Sequence, residues 1–366
     1  MMPPLTNSRI PRSRKLRLGF VPLTDCAPLV MAHELGLFTK HHLEVELHRE
    51  IGWASMRDRM VFGELEAAHA LAAMPFAATL GLGSIVRECV TGLVLNLHGN
   101  AITLSRELRD KGVRDARTLR AEIERARGSK TYTFGVVFKY SSHHFLLRQW
   151  LAGAGINPDK DVRIVVVPPP SMFTNLKFGN LDGYCVGEPW NSIAVQAGIG
   201  WCPITSAQLA PGHPEKVLMV TRDFAETHHR EHVRLVAALL EACAFCDAPE
   251  NHEQLVSTLA RPQYVNAPPE ALRRGLAGPF DFGFGRTEQL PQFNVFSRLE
   301  ANEPSAEKSA WVLNHLLNCG PLPDRPMPSA AVLRRIFRAD IFHEARKLTT
   351  PVDEKLAVHE LELAHA

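Results

Sequence analysis

Strand and helix signals alternate along the first hundred residues, and that rhythm constrains the fold more than any other feature of the chain. Residues 15 to 23 build towards an apolar strand. "APLVMAHELGLFTKHH" then carries apolar residues at helical spacing and stops after a Gly-containing turn. A strand from Leu43 in "LEVELHRE", a helix in "WASMRDRMVFGEL" and a short buried strand in "EAAHAL" come next. They are followed by a helix in "PFAATLG" and paired strands in "IVRECVTGLVLNL". This βαβαβ order predicts a mainly parallel sheet covered on both faces. The polar turn Leu23-Thr24-Asp25-Cys26-Ala27 then falls at the carboxyl edge of a strand, just before a helix begins near Pro28. Open α/β sheets bind small ligands at such edges.

A second α/β set follows. "ARTLRAEIERARG" reads as a charged helix, "TYTFGVVF" as a strand, and "SSHHFLLRQWLAGAG" as a helix with Ser141 or Ser142 as its N-cap. "DVRIVVV" and "LDGYCVG" read as strands around a helix in "PSMFTNLKFG", and "EPWNSIAVQAGIG" as another helix. A strand from Lys216 leads into a long helix, "ETHHREHVRLVAALLEACAFCDA". Two α/β lobes joined near residues 104 and 217 predict a clamp with its ligand in the cleft. The expected division is a flexible tail over residues 1–14, a first lobe from 15–104 and 217–290, and a second lobe over 105–216. A mostly helical segment, 291–366, is expected to pack on the lobes.

Composition narrows the function. Of 366 residues, 45% are hydrophobic and 22% charged, so a sizeable core is expected, and a formal net charge of +2 gives no reason to expect nucleic acid or a membrane surface as a partner. The N-terminus, "MMPPLTNSRIPRSRKLRLGF", is basic but lacks the apolar stretch of a secretory signal. Seven scattered cysteines, an odd number mostly in apolar runs, predict free buried thiols in a reducing compartment. Together these features predict a cytoplasmic protein.

"LRLGFVPLTDCAPLVMAHELGLF", "GWASMRDRMVFGELEAAHALAAMPFAATLG", "HGNAITLS", "VVVPPPSMFTNLKFGNLDGYCVGEPWN" and "HPEKVLMVT" together resemble the nitrate- and bicarbonate-binding proteins of ABC uptake systems. Among these the chain looks most like the leaderless NasS-type nitrate/nitrite sensors. The resemblance spans about residues 15 to 300. It implies a type II periplasmic-binding-protein fold, here with a C-terminal helical extension, that binds nitrate or nitrite between its lobes. It also implies a NasT-type RNA-binding antiterminator as partner, released when the ligand binds. The alternative it implies is the solute receptor of a nitrate importer. An enzyme on the same fold is a third class, but no cluster of reactive residues is visible, so neither catalytic residues nor a cofactor are expected.

A buried monoanion needs a balancing cation, donors and a flat surface. The resemblance implies that Lys216 supplies the charge, in a position where bicarbonate binders carry an acid. Trp53 would offer an indole face and one N–H. Asn100 would supply an amide at the end of a strand. One of His143 and His144 matches a ligand-contacting histidine, and His143 is the favoured one. Glu188 and Trp190, in "GEPWN", are expected to support the cleft, with Glu188 orienting a helix N-terminus and pairing with Lys216. Thr24 and Cys26 are expected to cap and pack the first turn. The C-x-x-C of Cys243 and Cys246 lies mid-helix, and His228 and His232 lack a third ligand nearby, so no metal site is expected.

Overall fold

The computed structural model describes residues 15–276, 278–319 and 327–349. The expected tail over 1–14 and the end of the C-terminal segment beyond 349 lie outside the described residues. Thirteen strands are described: β1 (Lys15–Phe20), β2 (Glu44–Arg49), β3 (Ala67–Leu71), β4 (Cys89–His98), β5 (Asn100–Ser105), β6 (Thr133–Val136), β7 (Arg163–Val166), β8 (Gly183–Gly187), β9 (Gly200–Thr205), β10 (Pro214–Thr221), β11 (Phe280–Gly283), β12 (Arg286–Glu288) and β13 (Asn294–Val295). They form a six-stranded sheet, β13-β4-β10-β3-β1-β2, a five-stranded sheet, β7-β6-β8-β5-β9, and a small ribbon, β11-β12. The chain is an α/β protein with the two-lobed periplasmic-binding-protein architecture.

Both large sheets are mixed rather than mainly parallel. β1 pairs in parallel with β2 and β3, whereas β10 runs antiparallel to both β3 and β4. In the second sheet β5 runs antiparallel to β8 and β9. The reversal comes from the crossings, because each strand that carries the chain between lobes arrives against the local direction. "IVRECVTGLVLNL" forms one long buried strand, β4, instead of a pair.

The lobes change at Gly99 and again near His213. Asn100–Leu104 and Lys216 therefore sit on the opposite lobes from those expected from the boundaries at 104 and 217. Gly99 has φ +87°, and a Cβ there would lie 3.2 Å from the Asn294 side chain. Both the turn and the close approach require glycine. His98, also left-handed at φ +60°, ties the crossings together. Its Nδ1 donates to the Gln292 carbonyl at 2.8 Å, and its Nε2 accepts the Gly212 N–H at 2.7 Å.

Residues 269–290 fold with the second lobe, not the first. The helix Pro269–Leu276 and strand β11 pack on the helix Trp190–Gln196 and on β9. Phe280, Phe282 and Phe293 bury themselves there with Ala101 and Cys202. The C-terminal segment adds β13 to the first sheet and three helices, Ala306–Leu317, Ala330–Arg334 and Ala339–Thr349. All seven cysteines are free and buried.

The long helix, His229–Asp247, buries Val233, Leu235, Val236 and Leu239 under the first sheet. Each such side chain contributes about 1.5–3 kcal/mol by leaving water. Its histidine His232 is fully buried, and neither ring nitrogen has a hydrogen-bond partner among the described residues. The ring fills the gap beside Gly92 and Ile341, under the helix Ala339–Thr349. Burial lowers its pKa from 6.5 to about 3. As pH falls, the unfolded chain binds the proton first. The contribution of neutral His232 is therefore complete above pH 6.5 and declines between 6.5 and 3 by about 1.4 kcal/mol per pH unit. His232→Leu should accordingly narrow the gap in thermal midpoint between pH 8 and pH 5, as read by circular dichroism. An unchanged gap would place the acid sensitivity in other groups.

Candidate functional site

β1 delivers the chain to the seam between lobes. The turn Thr24–Cys26 follows, then the helix Ala27–Glu34. The Thr24 N–H donates to the Glu188 carbonyl of the other lobe at 2.8 Å. Cys26 packs into the core of the first lobe, and its thiol pKa is pushed far up by burial. Thr24 is buried with its hydroxyl unpartnered and caps nothing. Asp25, between them, turns towards β10.

β10 carries Glu215 and Lys216. Neighbouring strand residues normally face opposite ways. Here the register of β10 against β4 shifts on both sides of Lys216, and both side chains reach one centre. The Lys216 ammonium lies 2.6 Å from Asp25 Oδ2 and 2.8 Å from Glu215 Oε1. The other oxygen of Asp25 lies 3.0 Å from His69 Nε2, on β3. Trp53 opens the helix Trp53–Val61, and its ring lies 5.4 Å from the ammonium.

The second lobe meets Glu215 from its other side. Asn100 Nδ2 donates to Glu215 Oε2 at 2.6 Å, and the Ser142 hydroxyl donates to the same oxygen. His143 Nε2 stands 3.7 Å from Glu215 Oε1, and His213 Nδ1 stands 3.8 Å from Oε2. Asn100 opens β5 rather than ending a strand, which aims its amide back across the seam. Ser142 and His143 occupy the first turn of the helix Ser142–Gly153, capped by Ser141, where the helix dipole favours a carboxylate.

Trp53, His143 and Lys216 are each at most 1% exposed, as are Asn100 and Glu215. Burial would raise the Glu215 pKa, but Lys216 and the histidines hold it down to about 2. Burial would likewise raise that of Asp25, yet Lys216 and His69 keep it well below the carboxylate range. Burial would lower that of Lys216, but Asp25 and Glu215 raise it. Burial lowers the His143 imidazole to about 4 and His213 to about 3. One ammonium therefore faces two carboxylates and neutral imidazoles, for a net charge of −1.

Trp53, Asn100, His143 and Lys216 come together at this seam. His144 does not. Its Nδ1 lies 2.7 Å from the Lys139 carbonyl, just before its helix, and 3.0 Å from Cys319 Sγ of the C-terminal segment. Glu188 does not pair with Lys216. It accepts the Ser192 N–H at 3.2 Å, the orienting role expected of it, and burial lifts its carboxyl to about 7. Trp190 begins the same helix and accepts the Tyr184 hydroxyl on its carbonyl at 2.9 Å. Lys216 is not a lone cation: Asp25 and Glu215 already neutralise it. "HPEK" and "TDC" held that signal, since two acids near a buried lysine must be counted with it. Among the described residues, Trp53 Nε1 and both ring nitrogens of His143 have no hydrogen-bond partner, so the arrangement has donors free to meet a small polar guest.

A family model described as the NMT1-like family matches residues 10–260. The chain belongs to the NMT1-like family. This member is 40% identical over 333 residues to the nitrate import ATP-binding protein NrtC of Synechocystis sp. PCC 6803, covering 90% of this chain and 49% of that protein. It is 36% identical over 334 residues to the bicarbonate transport ATP-binding protein CmpC of Synechococcus elongatus PCC 7942, with 91% and 49% covered. The chain thus spans about half the length of each. The crystal structure of the periplasmic nitrate-binding protein NrtA from Synechocystis PCC 6803 superposes with a TM-score of 0.86 at 29% identity, over 92% of this chain and 89% of that one. This NMT1-like protein is therefore closely related to the NrtA nitrate-binding proteins.

The ion cluster sets what substitution does. Lys216→Met leaves two carboxylates buried without their cation, and should cost about 3–5 kcal/mol in urea unfolding. Lys216→Glu should be worse, since it sets three acids together. Adding Glu215→Gln to Lys216→Met should recover part of the loss. An unfolding midpoint for Lys216→Met equal to that of the wild type would contradict the charge assignment.

Proposed function

We propose that this chain binds nitrate or nitrite at the seam between its lobes, against the Trp53 face and beside Lys216. The observation that carries this reading is the set of enclosed, unpartnered donors, Trp53 Nε1 and the His143 ring, next to a buried ammonium. A planar monoanion suits one flat face and a few donors. A sulfate ion would add a second charge to a cluster already at −1. The relation to NrtA supports anion binding, and the relatives named for nitrate and for bicarbonate make the choice between those two anions a question for titration.

On this reading the bound state is sensed inside the cell and passed to a NasT-type antiterminator, which the ligand releases. The C-terminal helix Ala306–Leu317 supports that role. Its Trp311 stacks on His213 at 5.2 Å, beside the cluster, and its His315 stacks on Phe145 of the second lobe at 5.9 Å. An element outside both sheets thus touches the crossing and the second lobe. A ligand that favours one clamp state and a partner that favours the other weaken each other reciprocally. The second reading is the solute receptor of a nitrate importer. It is favoured by the similarity to import proteins and uses the same site.

Calorimetric titration of the desalted chain should give binding of nitrate and nitrite, with bicarbonate and sulfate much weaker. Binding of bicarbonate alone would overturn the ligand assignment. Mixed with a NasT-type regulator on size-exclusion chromatography, the chain should co-elute without ligand and separate when nitrate is added. Co-elution indifferent to nitrate, together with recovery of the protein outside the cytoplasm, would favour the receptor.

A further inference from the structure

Charge at the seam raises a difficulty that the nitrate reading must meet. Lys216 is matched by Asp25 at 2.6 Å and by Glu215 at 2.8 Å, so the enclosed cluster already has one negative charge in excess. A monoanion entering by itself would take it to −2, with every member at most 2% exposed. Desolvation makes such an uncompensated charge very costly. Helix N-termini at Trp53 and Ser142 soften that cost through partial charges but add no whole charge.

We propose that the anion is taken up together with one proton, which His143 carries. The inference rests on the nitrate or nitrite reading of this site. His143 is fully buried, and neither ring nitrogen has a hydrogen-bond partner among the described residues. Protonated, the ring presents two N–H groups. One faces Glu215 Oε1 at 3.7 Å, and the other is free for the anion. The cluster then returns to −1, its charge without ligand. Protonating Glu215 instead would balance the charge equally well, but would weaken the acceptor that holds Asn100 and Ser142 across the seam and Lys216 beside it. A proton on His143 leaves those bonds in place.

The groups around His143 agree with this assignment. Glu215 and Lys216 face it from β10, Asp25 from the first turn, and His213 from the second crossing. His69 lies behind Asp25 on β3. On its own helix, His144 and Arg148 turn outward, to Cys319 and Asp159, and His315 of the C-terminal helix stacks on Phe145. In the ligand-free protein burial keeps the ring neutral, with its pKa near 4. An anion against the second N–H stabilises the charged form. The same arithmetic gives selectivity, because a dianion needs two protons, and His69 Nε2 already lies 3.0 Å from Asp25, behind the cluster.

Nitrate titrations of the full-length chain at pH 7.5, in buffers of different ionisation enthalpy, measure the protons taken up. The expected result is close to one proton per nitrate, with the dissociation constant rising about tenfold per pH unit between 6.5 and 8.5. Glu215→Gln removes the excess charge, so its nitrate binding should lose most of this proton uptake. Nitrate binding with an enthalpy independent of buffer and an affinity independent of pH overturns the proton coupling while leaving the ligand reading intact. No binding of nitrate or nitrite at any of these pH values overturns both. The wild-type series decides the matter even if the variant does not fold.

Discussion

A lysine ammonium held between two carboxylates, with no water-exposed face, is the interaction on which the rest of this structure turns. Lys216 and Glu215 reach it from one strand of the first lobe because the register of β10 is irregular there. Asp25 comes from the turn after β1, and Asn100 and Ser142 reach Glu215 from the second lobe. A buried ion group is seldom a net source of stability. Its worth here lies in position, since it sits where the lobes meet and makes the charge balance of the seam depend on both.

The crossings translate that chemistry into mechanics. His98, at the first crossing, accepts the Gly212 N–H of the second on Nε2 and bonds the Gln292 carbonyl through Nδ1, and His213 sits between Glu215 and Trp311. The C-terminal helix touches the second lobe through Phe145 and is anchored at its start by Lys308, which donates to the carbonyls of Glu300, Ala301 and Glu303. Contiguous aromatic contacts thus connect the ion cluster to an outer helix. On the proposed sensing role, that helix is where a partner reads the clamp.

Much of the fold was legible because periodicity is a local property. The helices at Trp53–Val61 and Ser142–Gly153, and strands β1, β3 and β6, fall where apolar spacing puts them. The mixed sheets were not legible, because strand direction is set by which lobe the chain returns to. The placement of residues 269–290 depended on Phe280 and Phe282, with Phe293 just beyond them, packing with Cys202 and Ala101. At the candidate site, Lys216, Trp53, Asn100 and His143 were singled out through the family resemblance. Asp25 and Glu215 were passed over because each was read singly. Asp25 was read only as part of a polar turn, and Glu215 was not weighed, although strict alternation along a strand would face it away from Lys216. Only the register shift of β10 brings Glu215 and Lys216 to one centre, and no sequence period announces it.

A crystal structure of the chain grown with nitrate tests the central claim most directly. The account predicts planar, three-oxygen density between the lobes, against the Trp53 ring and within hydrogen-bond distance of the His143 ring and the Lys216 ammonium. Asp25 and Glu215 should still flank the lysine. Nitrate bound away from this seam, with the ion cluster unchanged and empty of ligand, would contradict it.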